Sequence, residues 1–208
     1  MSVDSVNVES GSCAQDAYHT IVANGAMLDV VYAMRYRSYG EAGYIEENPL
    51  LKFADEYDGQ SNVTSFLLHR RGEAVGSMRT CVFDPRDRMP VPAMDVFDDE
   101  IRHSIGYDNV FVEVNKFVIE PSFQHRGGVR MRLMLIGTVI EEAVRKGASN
   151  ILLAVRPAHV GFYEMLGCVL LSGAKAYPHL AFETVLMATL DIQSTRRFIR
   201  SKVKVEER

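Results

Sequence analysis

Cysteine is scarce and odd in number: Cys13, Cys81 and Cys168 are the three among 208 residues, and none forms a Cys-x-x-Cys spacing. That excludes a disulfide framework and a structural zinc site, and makes a reducing cytoplasm the expected setting. Long apolar runs are missing too. No stretch approaches the roughly 20 residues of a membrane span, and "MSVDSVNVESGSCAQD" lacks the basic start and apolar centre of an export signal, so neither membrane insertion nor export is expected. Excess positive charge is absent: the net charge is -4. Nucleic acid is therefore not an expected partner, and any anion must be met by a local basic patch. The six histidines (His19, His69, His103, His125, His159, His179) show no metal-ligand spacing and none pairs with a cysteine in a nucleophile motif. No metal is expected, and there is no internal repeat.

What is present suits one globular domain with a sizeable core, since 47% of the chain is hydrophobic and 24% charged. A polar segment (1–20) and a charged tail (193–208) are expected to flank a domain over 21–192. Leu28, Val31, Tyr32, Arg35 and Tyr39 fall at helical spacing, with Gly40 and Gly43 as stop signals. "VTSFLLHRRGEAVGSMRTCVF" predicts two strands around a turn at Arg71-Gly72, and 110–119 predicts another strand before Pro121. A helix follows over 129–146, then an apolar strand in "ASNILLAVRP", a short helix in "AHVGFYEMLG" and a last strand in "AFETVLMATL". The proline-broken "DPRDRMPVPAMDVFDDEIRHSIGYDN" is an insertion expected to cover something. This order predicts an α/β (α+β) fold: a mixed, mostly antiparallel sheet with helices on both faces. At the join of central strand and long helix, Gln124, His125, Arg126, Gly127, Gly128, Val129, Arg130 and Arg132 combine glycines, cations and a helix N-terminus, which suits an anion.

The stretch from the central strand through "QHRGGV", the long helix, "ILLAVRP" and "FYEMLGC" resembles the GNAT acyltransferase superfamily. Its turn reads Gln/Arg-x-x-Gly-x-Gly/Ala, and a later helix carries Tyr-x-x-x-Gly-Phe. The resemblance implies a splayed central strand and a turn whose backbone N–H groups hold a pantetheine-linked phosphate. Val129 replaces the motif's last small residue and Cys168 its aromatic. A carrier-protein phosphopantetheine carries one phosphate and no nucleotide, so it suits this turn better than coenzyme A. Carrier proteins are acidic, and Arg126, Arg130 and Arg132 would face an acidic helix. "EVNKFV" is similar to the Glu-x-Ser-Arg-Phe-x-Val strand of acyl-homoserine-lactone synthases. Arg35 with Tyr39, the pair Asp55 and Asp58, and "VGSMRT" around Arg79 follow that family's order. Lactone synthases usually carry a tryptophan after the first helix, where this chain has Tyr44 and no tryptophan anywhere. "RYRSYGEAGYI" instead resembles long-chain N-acyl amino acid synthases of the N-acyl-tyrosine type, which share the carrier-protein donor.

The resemblance implies transfer of a long fatty acyl group from acyl carrier protein to an amino acid, tyrosine-like acceptors being favoured, with no tightly bound cofactor. An α-amino group is mostly ammonium near neutral pH and must lose a proton before attacking a thioester. Glu113 is the expected base, directly or through water, unless it serves as a structural partner of Lys116 or Arg79. Arg79 and Lys116 are expected to orient carboxylates, the substrate's or those of Asp55 and Asp58. Arg35 either grips the acceptor or snorkels from its helix. The Val118 and Ile119 N–H groups would polarise the thioester carbonyl, and Tyr163 would protonate the departing thiolate. Without a recognisable nucleophile motif, direct transfer is favoured over a covalent enzyme intermediate. Two alternatives stay open: lactone synthesis from S-adenosylmethionine, and a GNAT-like module that binds acyl carrier protein without turnover.

Overall fold

The structure is a computed structural model, in which residues 18–124 and 128–202 are described. His125, Arg126 and Gly127, three of the residues expected to form the phosphate turn, lie outside the described residues, as does Cys13. The described strands are β1 (Tyr18–Val22), β2 (Val63–Arg70), β3 (Glu73–Phe83), β4 (Phe111–Ile119), β5 (Asn150–Val155), β6 (Cys168–Leu170), β7 (Lys175–Ala176) and β8 (Glu183–Thr189). Their spatial order is β1-β2-β3-β4-β5-β8-β6, with β7 also paired to β8. Among the described strands only the β4–β5 pairing is parallel.

The helices are α1 (Ala26–Glu41), α2 (Met94–Ser104), α3 (Gly128–Arg145), α4 (Val160–Glu164) and α5 (Ile192–Lys202). Strand residues alternate between faces, and β4 shows which helix meets which face. Val112 and Ile119 join a core with Met131, Leu135 and Val139 of α3 and Ile192 and Ile199 of α5. Phe111 packs instead with Phe97 and Ile101 of α2, and Val118 with Val31 and Met34 of α1. Both faces are therefore covered, which is why β5 can be apolar almost throughout. The β2–β3 hairpin closes through Arg71 and Gly72, both at positive φ (54° and 81°), the requirement of a mirror-image two-residue turn.

Both flanks differ from the sequence expectation. β1 begins inside the polar segment, pairing Tyr18 to Val22 along β2. The expected charged tail contributes most of α5, whose Ile192, Thr195 and Ile199 are buried while Arg196 and Arg200 hold Glu141 of α3. Two isoleucines seven residues apart line one face of a helix, and the surrounding arginines hid that stripe.

One irregularity positions the site. β4 and β5 pair only from Phe111–Val114 against Asn150–Leu153, so residues 115–119 have no partner on that side. On the other side, Arg79 pairs with Asn115 and Ser77 with Val118, leaving Met78 opposite both Lys116 and Phe117. This is a β-bulge, and Lys116 sits in it at φ 50°. Left-handed backbone costs a non-glycine residue about 1 kcal/mol. The extra residue bends the strand and resets its alternation, so that β4 parts from β5.

Candidate active site

A cavity of about 460 Å³ passes through this gap. On the α3 face its wall is apolar, with Phe117, Ile136, Val139, Ile140, Ile151 and Leu166 among its residues. On the α1 face it is polar and aromatic, lined by Tyr39, Tyr44, Asp55, Arg79, Asn115 and Lys116. Pro92, from the proline-broken segment, also lines it.

The polar half rests on a buried charge cluster. α1 places Arg35, fully buried, with Nη1 2.8 Å from Asp58 Oδ1 and Nη2 3.0 Å from Ser65 Oγ. β3 places Arg79, also fully buried, whose Nη2 donates to Asp55 Oδ2 at 3.0 Å and whose Nη1 lies 3.1 Å from Asp58. Lys116 Nζ lies 3.1 Å from Asp55 Oδ2 and 3.9 Å from the centre of the Phe53 ring. Burial alone would raise the Asp55 carboxyl, but Arg79 and Lys116 hold it well below the usual carboxylate range. Loss of hydration pulls the Lys116 ammonium down to about 8, Asp55 opposing the shift and Arg79 adding to it. Arg35, Asp55, Asp58, Arg79 and Lys116 are thus brought together, with the two acids as the cations' partners.

Glu113 is placed differently from its expected role. It is fully buried and does not line the cavity. Its Oε2 accepts the Ala93 N–H at 2.6 Å and its Oε1 accepts from Asn115 Nδ2 at 2.8 Å. The carboxylate therefore pins the segment before α2 onto β4, and its partners are not Lys116 or Arg79. Burial raises its pKa, opposed by those two hydrogen bonds. Asn115 reaches the cavity in its place and accepts from Arg79 Nε at 2.7 Å.

Val118, Ile119 and Tyr163 line the cavity. The Ile119 carbonyl accepts from Ser38 Oγ and Gln124 Nε2, each at 3.2 Å. Burial pushes the Tyr163 phenol up to about 12, so it is a proton donor at neutral pH. Burial likewise pushes the Cys81 and Cys168 thiols up to about 12, which leaves neither as a thiolate nucleophile. Gly128 opens α3. In the first turn Val129 is 62% exposed, Arg130 is exposed and stacks over Tyr18 at 5.4 Å, and Arg132 is exposed at the cavity rim.

Sequence reasoning missed Arg156, at the end of β5. Its guanidinium stands 4.6 Å over the Tyr44 ring and 5.7 Å from that of Phe182, and Nη2 lies 2.8 Å from His159 Nε2. Burial, Arg156 and Arg132 lower the His159 pKa, so the neutral imidazole accepts that bond. All four side chains line the cavity, and Arg156 has no carboxylate partner among the described residues. Strand-end position in "LAVRP" was the available signal; the stacking partners come from loops far along the chain.

Comparison with known proteins bears on this geometry. The family described as N-acyl amino acid synthase FeeM matches residues 30–190. No curated protein matches the chain. Among solved structures, FeeM, an N-acyl amino acid synthase from uncultured soil microbes, is similar at TM-score 0.70 and 15% identity, over 90% of this chain and 96% of that one. The acyl-homoserine-lactone synthase LasI is similar at TM-score 0.67 and 15% identity, over 92% and 100%. BjaI, a CoA-dependent acyl-homoserine lactone synthase solved with MTA, gives TM-score 0.67 and 13% identity, over 86% and 83%. At these identities the structural likeness shows a shared GNAT-type fold.

Proposed function

Since the chain belongs to the N-acyl amino acid synthase FeeM family and is an acyltransferase, we propose that it moves a long fatty acyl group from the phosphopantetheine thioester of acyl carrier protein to the α-amino group of a tyrosine-like amino acid, in the cytoplasm. The observation that carries this reading is a single cavity with an apolar half and a charged, aromatic half joined at the β4–β5 gap. A fatty chain fits the first half and an amino acid the second, so the reacting carbonyl sits between the strands. Arg156 offers donors to the acceptor's carboxylate, and Tyr39, Tyr44, Tyr177 and Phe182 supply aromatic wall for its side chain. The Ile119 and Val118 amides would polarise the thioester carbonyl, and Tyr163 would protonate the leaving thiolate. Gln124 and the start of α3 would receive the phosphate, with Arg130 and Arg132 toward an acidic carrier.

The test is reconstitution of the purified protein with acyl carrier protein thioesters, matched coenzyme A thioesters, tyrosine and S-adenosylmethionine. N-acyl tyrosine made faster from the carrier thioester is the expected product by mass spectrometry. An acyl lactone would replace this reading with lactone synthesis, and carrier binding without product would leave a binding module.

A further inference from the structure

The proposed reaction requires a cavity-wall group that takes a proton from an ammonium, and the inference below rests on that reading. The wall offers few. Asp55 is occupied by Arg79 and Lys116, which hold its carboxyl so low that it is a weak base, and Asp58, paired to Arg35 and Arg79, is not part of the wall. His159 spends Nε2 on Arg156, which leaves the proton on Nδ1. Tyr163 and Cys168 are protonated at neutral pH. Glu113 is sealed behind the wall.

We propose that Lys116 is the general base that deprotonates the acceptor amine. The β-bulge turns its stem out of the strand ladder toward the polar half of the cavity, where Nζ bridges Asp55 and the Phe53 ring. Three cations (Arg35, Arg79, Lys116) share two carboxylates (Asp55, Asp58) there, and lysine alone among the three can shed the excess charge. Among the charged groups around it, Arg79 and Arg35 act in the same sense as burial and Asp55 opposes them. Glu113 is tied to the Ala93 N–H and to Asn115 rather than to Nζ, and burial raises the Tyr39 phenol. Nζ, with its pKa near 8, is thus partly neutral at physiological pH while still able to donate to Asp55. The step balances. The acceptor ammonium gives one proton to Nζ, and the freed pair forms the N–C bond to the thioester carbonyl. The C–S bond then breaks with its pair on sulfur, Tyr163 protonates the thiolate, and the second proton passes from nitrogen to restore the Tyr163 phenol. Lys116 returns its proton to water.

Kinetics of wild type, Lys116→Arg and Lys116→Met test this. Arginine keeps the charge beside Asp55 but cannot lose it. In both variants kcat should fall roughly a hundredfold or more, the scale of positioned acid–base catalysis, with KM for the amino acid nearly unchanged. The rise of kcat through about pH 8 should vanish. Turnover close to wild type with that pH limb intact in Lys116→Arg overturns the assignment while leaving the reaction standing. No N-acyl product from the wild type with any thioester overturns the reaction, and the base with it. A third readout needs no variant: in ¹³C NMR of lysine-labelled wild type, the Lys116 Cε signal, identified by its contact with the Phe53 ring, should titrate near 8. Titration near its ordinary 10.5 overturns the proposal.

Discussion

Arg156 is held by two aromatic rings and a neutral imidazole, so most of its orientation is fixed before any substrate arrives. A charge-assisted hydrogen bond to such a group contributes about 1.5–3 kcal/mol, which is roughly ten- to a hundredfold in affinity. Arg156→Met should therefore raise KM for tyrosine by about that factor. Tyramine, which lacks the carboxylate, should be used equally by both enzymes, and steady-state kinetics with the two acceptors measures the difference. Glu113 makes a prediction of another kind. Its folded pKa lies above the ordinary 4.5, so its contribution to stability is complete below 4.5 and is lost as pH rises through the folded value. The stability of wild type relative to Glu113→Gln should decline as pH rises from 4.5, measured as the difference in melting temperature between the two proteins across mildly acidic to neutral buffers.

Among elements, β4 depends on how closely β3 approaches it. A Cβ added at Gly76 would lie 3.0 Å from the Val118 carbonyl oxygen, 3.0 Å from Ile119 Cδ1 and 3.2 Å from Leu135 Cδ1. Gly76→Ala should cost about 1–3 kcal/mol, the usual scale of overpacking, by chemical denaturation. Because the strand pushed outward carries the amides on the cavity wall, turnover per folded molecule should fall as well. Ile199→Ala in α5 should cost about 2–5 kcal/mol through the cavity it leaves against α3, which a merely appended tail would not. These elements also show what could be read in advance. The apolar signal carried α3 and β5, helical spacing closed by Gly40 and Gly43 carried α1 although Arg35 and Ser38 are among its buried residues, and Arg71-Gly72 carried its hairpin because few dipeptides take two positive φ values. β1 and α5 were hidden because short or arginine-flanked stripes gain their meaning only against a partner. In the site, residue types and order were legible: Arg35, Asp55, Asp58, Arg79 and Lys116 do converge. The direction of Glu113 was not, since one bulge decides which β4 side chains reach the cavity and the segment that claims its carboxylate arrives from twenty residues upstream.

For the molecule as a whole, the apolar half of the cavity ends against helices of the α3 face, where Thr189 and Thr195 lie at its wall. On the proposed reading its depth would limit the acyl group, and Val139→Phe, which fills it from α3, should shift product toward shorter chains when a mixture of carrier thioesters is offered and the amides are sized by mass spectrometry.

The gap between β4 and β5 has a consequence for what happens after the bond is made. On the proposed reading, a finished N-acyl amino acid would occupy that slot like a bolt, its tail in the hydrophobic core on one side of the sheet and its head among charges on the other. It cannot slide out sideways past the four paired rungs that close the slot at Phe111 to Val114. It must withdraw lengthwise, and each methylene drawn into water costs about 0.8 kcal/mol. Departure rather than chemistry should then govern steady turnover with long chains. A rapid first turnover followed by a slower steady phase, with the slow phase hastened by phospholipid vesicles that absorb the emerging tail, is the behaviour this architecture predicts.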